Sequence, residues 1–282
     1  MKKEYDFAFS LGFCCAGTQA LRYAGLQASS YPLDWAGSPG LLESVGMIER
    51  DFAGWFDRDA LVLWDVRHEF GHVSRVYKNV RTGFGFTHEF TNAFPFECGY
   101  EEVRRKYDRR IVRFLGQLQA AHRVLAVFIC DPRQGRPAEA RLVEARDRLA
   151  AKFPGTRFDL VCAYEDPSCA TPVESPAGEG VVAVGMHYRT MLNGEIMHVC
   201  DYGVLRDYLA SRFSIAGCQS DEDWRRFEAG QKKEFMAKLG RTWLERRINR
   251  KLRDLYHDVA VYLIGQGLVP DDRPLWFDGN GK

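Results

Sequence analysis

Two adjacent thiols, Cys14 and Cys15, fall where a short apolar run gives way to helical periodicity, a placement that suits nucleophilic chemistry. The unpaired N–H groups and the dipole at a helix N-terminus stabilise an anion, and the thiolate is the form of cysteine that attacks carbonyl carbon. Backbone N–H groups after Gly12 would at the same time hold the developing oxyanion. Such a nucleophile needs an imidazole within hydrogen-bond reach and a third group to orient that imidazole. Seven histidines are available, at positions 68, 72, 88, 122, 187, 198 and 257. Asp34, within Tyr31-Pro32-Leu33-Asp34-Trp35, offers a carboxylate in a rigid, aromatic setting close in sequence to the thiols. The opposing reading makes the thiols two small, inert core residues and Asp34 a turn-forming residue.

A second constellation competes. His68-Glu69-Phe70-Gly71-His72 satisfies H-E-x-x-H, which on a helix places two zinc-binding imidazoles on one face with Glu69 as general base. Its flanks, LVLWDV and VSRVYKNV, are rich in β-branched and aromatic residues, so extended backbone is expected and zinc is not favoured. Gly83-Phe84-Gly85 lacks the helix and acidic partner of a dinucleotide site, no phosphate loop is present, and C-C is not the C-x-x-C of thioredoxin-like redox proteins.

The elements that must position these groups follow from periodicity. Phe7 to Leu11 reads as a strand buried on both faces, and Ala16, Ala20, Leu21 and Ala24 recur at helical spacing up to Gly25. Leu41–Phe52 reads as a helix, Leu61–Trp64 as a strand, and 73–79 with 80–86 as two extended segments leading into His88. Residues 100–121 carry one apolar stripe of a helix, 123–130 a buried strand, 137–152 a second amphipathic helix and 158–164 another strand. Residues 166–180, rich in Pro, Ser and Gly, read as a surface loop, 181–187 as a strand ending at His187, and 196–200, around His198, as one more. Residues 201–213 read as a helix. Strands alternating with helices imply an α/β fold, a central mostly parallel sheet flanked by helices. His187 and His198 are reserve bases on this reading.

Ser10-Leu11-Gly12-x-x-Cys15, then Leu21-Arg22 and Gly25-Leu26, then Ser30-Tyr31-Pro32-x-Asp34-Trp35, resemble the opening of a family of papain-like cysteine peptidases. Its pattern runs S-L-G-x-N-C, L-R, G-L-R and S-Y-P-F-D-W, with H-D-F further on. His88-Glu89-Phe90 is similar to that last block with Glu in place of Asp, Cys14 stands where the family has Asn, and Leu33 replaces Phe. Alignment of the blocks points to Cys15 rather than Cys14. The resemblance therefore implies Cys15 as nucleophile, His88 as base, Asp34 as orienter and Gly12 in the oxyanion turn, with a peptide as substrate.

Composition bounds the rest. Thirty-nine basic against thirty-eight acidic residues give no overall pull toward nucleic acid or an anionic membrane. Eight scattered cysteines suit reduced, cytoplasmic thiols better than a zinc ribbon or a disulfide scaffold. Glu4 and Asp6 interrupt any signal-like run at the N-terminus, and the longest apolar runs fall short of the roughly twenty residues a membrane span needs. The chain reads either as one domain or as an α/β domain over 1–218 with a helical extension over 219–282 packed on it, the loop near Asp166 being the other candidate boundary. Between Arg225 and Arg253 that extension is strongly basic, either a solvated helix face or a dock for an anion. The second option would suit an acyltransferase with a coenzyme A donor or a charged glycan acceptor, an acylated small molecule being the other candidate substrate beside a peptide. A non-catalytic binding module completes the set of expectations.

Overall fold

In the computed structural model, residues 2–27, 29–69, 72–91, 96–132, 135–187 and 202–216 are described. All of them belong to the unit Met1–Trp224, so the boundary expected at 218/219 and the basic extension lie outside the described residues. In chain order the elements are β1 (Lys3–Tyr5), β2 (Phe7–Ser10), α1 (Ala16–Tyr23), a 3-10 turn (Pro32–Trp35), β3 (Ala36–Gly37) and α2 (Leu41–Glu49). After these come β4 (Leu61–Glu69), β5 (His72–Asn79), β6 (Gly85–Thr91), α3 (Phe96–Ala120), β7 (Arg123–Ile129), α4 (Glu139–Lys152) and β8 (Arg157–Glu165). The last are β9 (Val173–Gly178), β10 (Val181–Met186), α5 (Tyr202–Arg212) and β11 (Phe213–Ile215).

The central sheet has strand order β2-β7-β8-β10-β9, with parallel pairing from β2 to β10 and β9 antiparallel at one edge. Its parallel strands β2, β7, β8 and β10 are largely apolar on both faces, as strands covered on both sides are. Phe7, Phe9, Val124, Ala126, Phe158 and Leu160 point into one core, shared with α2, α3 and α4. The residues between them, Ala8, Leu125, Val127 and Val161, point into a second core with Ala16, Ala20 and Leu21 of α1 and Leu205 and Leu209 of α5. Among the described helices, α1 and α5 thus cover one face, and α2, α3 and α4 the other. No described helix is long and apolar enough to cross a membrane.

α1 lies so close to the end of β2 that a Cβ added at Gly17 would fall 2.5 Å from Ser10 Oγ, which itself accepts the Gly12 N–H at 3.2 Å. Gly17→Ala should therefore lose stability despite gaining about 1 kcal/mol of helix propensity. A net loss of about 1–2 kcal/mol is expected in denaturant melts, with Ser10→Ala restoring part of it. Full stability in Gly17→Ala would mean that the helix can ride away from the strand.

The structure departs from the expected single parallel sheet in one large way. β3, β6, β5 and β4 form a separate antiparallel sheet of four strands, in that order. The expected strand over 80–86 is mostly a turn: Gly83, with φ of +80°, donates to the Asn79 carbonyl, and β6 begins only at Gly85. The loop expected over 166–180 contains β9, whose VESPAG sequence carries Pro176 and is exposed at four of its six positions. Such a strand survives only at an edge, where a missing N–H breaks no ladder and one face is wet. Phe213 begins β11, parallel to β1, rather than closing the helix before it. Over 196–200 the expected strand lies outside the described residues, as does His198.

α3 joins the two sheets. Val103, Tyr107, Phe114 and Leu118 recur at helical spacing and are all buried. Phe114 packs 5.0 Å from Phe9 of β2 and 5.5 Å from Tyr31, and Tyr107 packs 5.6 Å from Phe86 of β6. These aromatic contacts set the antiparallel sheet against the segment that carries Asp34.

Candidate active site

The turn after β2 is built under strain. Leu11 still pairs with the central sheet, its N–H donating to Val127 O at 2.8 Å. Gly12 and Phe13 then take φ of +94° and +68° in succession. Glycine meets the first requirement without cost; phenylalanine in the left-handed region does not and needs support from its surroundings. The Ser38 N–H supplies it by donating to Phe13 O at 3.2 Å, while the ring packs against the larger core. Ser38 also closes over Gly12, where an added Cβ would meet Ser38 Cβ at 3.1 Å. Gly12 takes the left-handed backbone that this turn needs, and the φ of Phe13 is a feature that no sequence pattern signalled.

This turn delivers Cys15 as the N-cap of α1, with φ −63° and ψ −12°, its carbonyl accepting the Gln19 N–H at 2.9 Å. Both Cys14 and Cys15 are thiols of intermediate exposure. They differ in surroundings. Cys14 packs against the core shared by α1 and α5, whereas Cys15 belongs to neither core. Cys15, Gln19 and Arg22, spaced as one helix face, are partly exposed, while Ala16, Gly17, Thr18, Ala20 and Leu21 are buried.

Asp34 is completely buried and saturated by hydrogen bonds. It accepts from Thr18 Oγ1 at 2.8 Å, Gln27 Nε2 at 2.7 Å and the Tyr31 N–H at 2.7 Å. Thr18 lies one turn beyond Cys15 on α1, so the carboxylate pins the nucleophile helix to the 3-10 turn. Burial pushes its pKa up to about 6, against the opposing pull of the Tyr31 N–H, Thr18 and the nearby Arg22 and Arg110 charges. The 3-10 turn packs beside α1, α3 and β6. Ala36, two residues beyond Asp34, pairs with Phe86, two residues before His88. His88 is thereby placed in β6 alongside the Asp34 segment; its side chain lies outside the described residues.

The other expected residues scatter. His187 follows β10 and its Nδ1 lies 2.9 Å from Glu165 Oε1, an ion pair when the ring is protonated. Two strands, β7 and β8, stand between β10 and β2, so roughly 14 Å of sheet separates His187 from the thiol turn. His68 and Glu69 close β4 while His72 opens β5, and Glu69 pairs with His72 across the antiparallel ladder. The helix that H-E-x-x-H chemistry needs is replaced by two strands, because β-branched and aromatic flanks favour the extended backbone. The side chains of His68, Glu69 and His72 lie outside the described residues, as does the basic stretch from Arg225 to Arg253 on which a coenzyme A or glycan partner rested.

A cationic group lies beside Asp34. Arg22 Nη2 donates to Ser30 Oγ at 2.7 Å, and its guanidinium lies 5.5 Å over the Trp35 ring. Arg110 and Arg113 of α3 approach the same segment, and Glu89, whose side chain is 4% exposed, takes Lys106 and the Tyr107 hydroxyl as partners. The only sequence signal was the spacing of Lys106, Arg110 and Arg113 along one face of α3, which also describes an ordinary solvated face.

A family model described as "Putative papain-like cysteine peptidase" matches residues 6–165, more than half of the chain. It spans the thiol turn, the Asp34 segment and β6. Comparison with curated proteins and with solved structures gives no match.

Proposed function

The chain belongs to this papain-like cysteine peptidase family, and from that premise we propose that it is a cysteine-nucleophile hydrolase of peptide-type carbonyl substrates, with Cys15 as nucleophile, His88 as base and Asp34 as a positioning residue. The observation that carries the reading is the place of Cys15: partly exposed, outside both cores, at the first turn of a helix held by a strained loop. His88 removes the Sγ proton as sulfur adds to the carbonyl carbon, and backbone N–H groups at the start of α1 support the oxyanion. The imidazolium returns the proton to the leaving amine, and water, activated by the same ring, cleaves the thioester and regenerates the thiol. Asp34 acts through α1 and the 3-10 turn: its three hydrogen bonds hold the helix carrying Cys15 against the segment that adjoins β6.

Alkylation of the native protein by iodoacetamide tests the nucleophile. Cys169, also of intermediate exposure, serves as an internal reference. Cys15 is expected to react at least about tenfold faster than Cys169, since attack follows thiolate character as well as access. Faster labelling of Cys169 or Cys14, mapped by mass spectrometry, overturns the assignment.

A further inference from the structure

We infer that Arg22, Arg110 and Arg113 form a subsite for an oxyanion, the carboxylate or phosphate of a substrate whose reacting carbonyl lies at Cys15. The substrate half of this statement rests on Cys15 as nucleophile; the binding half does not.

Two guanidinium groups from different helices meet at Ser30, and a third acts on Arg22 as a neighbouring like charge. Arg22 reaches Ser30 Oγ from α1, and Arg113 donates to the Ser30 carbonyl from α3 and lies 5.9 Å over the Tyr31 ring. Arg110, one turn earlier on α3, lies 5.4 Å over the Tyr107 ring. The acids nearby are already engaged. Asp34 is occupied by Thr18, Gln27 and the Tyr31 N–H, and Glu89 by Lys106 and Tyr107, so Arg110 keeps only a loose ion pair, its Nη1 3.8 Å from Glu89 Oε1 and beyond hydrogen-bond range. Among the described residues, Arg22 Nε and Arg110 Nη1 are buried without an acceptor. A buried charged donor in that condition is costly, and it calls for a partner.

Like charge adds to the demand. Burial lowers the pKa of the Arg22 guanidinium, Asp34 opposes the shift, and Arg110 and Arg113 deepen it. An incoming oxyanion would relieve that repulsion, and planar guanidinium forks match carboxylate and phosphate oxygens. Access runs along the partly exposed face of α1, which has Cys15 at one end and Arg22 at the other. Seven residues of helix span about 10 Å. The expected ligand therefore carries its anionic group about 10 Å from the carbonyl under attack, about three residues of extended peptide.

Titration calorimetry with sodium succinate and with inorganic phosphate, on the full chain, tests the subsite without any turnover. At least one of the two is expected to bind the wild type and Cys15→Ala alike, and to bind Arg110→Gln at least tenfold more weakly; the tighter of the two identifies the group as carboxylate or phosphate. Should Arg110→Gln fail to fold, Arg113→Ala, an exposed position, carries the test with an expected loss of at least threefold. Absence of binding by both anions to the wild type, or binding undiminished in the folded arginine variants, overturns the subsite. Loss of hydrolysis in Cys15→Ala with anion binding intact separates this inference from the catalytic one.

Discussion

Cys15→Ala is expected to lower hydrolysis of p-nitrophenyl acetate, a generic acyl probe, by at least about 10³-fold, while Cys14→Ala stays within about threefold of the wild type. The two thiols are neighbours in sequence and similar in exposure, so the contrast tests placement rather than chemistry. Cys14 contributes to the core between α1 and α5, and its loss should appear as a modest fall in stability. Cys15 caps α1 on the partly exposed face, where a substrate carbonyl can approach both the sulfur and the backbone N–H groups. His88→Ala should cost about as much as Cys15→Ala, and the double variant little more, because nucleophile and base act as a unit. Activity surviving in Cys15→Ala, or lost in Cys14→Ala with the fold intact, would move the reaction elsewhere.

Asp34→Ala is expected to be the most destabilising single change at the site, by about 3–5 kcal/mol, since three buried donors lose their acceptor together. Asp34→Asn should cost far less: its amide oxygen can face Gln27 and the Tyr31 N–H while its NH₂ turns to the Thr18 oxygen. The two also separate by pH. The Asp34 carboxyl titrates at about 6 in the folded chain against 3.8 ordinarily, so between those values the folded state holds a proton that the unfolded state has released. Its contribution to stability is therefore highest below pH 4 and falls as pH rises toward 6. The fall is about 3 kcal/mol at 1.36 kcal/mol per pH unit. Denaturant melts from pH 4 to 7.5 should show this fall in the wild type relative to Asp34→Asn. Parallel curves for the two proteins would assign the titration to another group.

Much of the parallel half was legible because its physics is local. β7 is six buried residues in seven, and the stripe of α3 repeats at helical spacing, so apolar period alone named both elements to within a few residues. Adjacent Cys14 and Cys15 at a strand-to-helix change were likewise visible. The antiparallel sheet was legible only in part: β4 and β5 read as extended, but β3 is only Ala36 and Gly37, and β9 at the edge of the central sheet is exposed along most of its length. Such strands exist through their neighbours, and pairing partners are not written in a strand's own residues.

By itself the amino-acid sequence determined the alternation of strands and helices, the thiol at the start of α1 and the set of blocks by which the family is recognised. Only the tertiary structure decided that Asp34 bonds Thr18 across sixteen residues. The same holds for Glu69 facing His72 across a ladder rather than along a helix, and for Arg22 of α1 meeting Arg113 of α3 at Ser30. The division has one physical cause. Periodicity records which side of an element leaves water, whereas a site is made of side chains from different elements, and their meeting depends on how those elements pack.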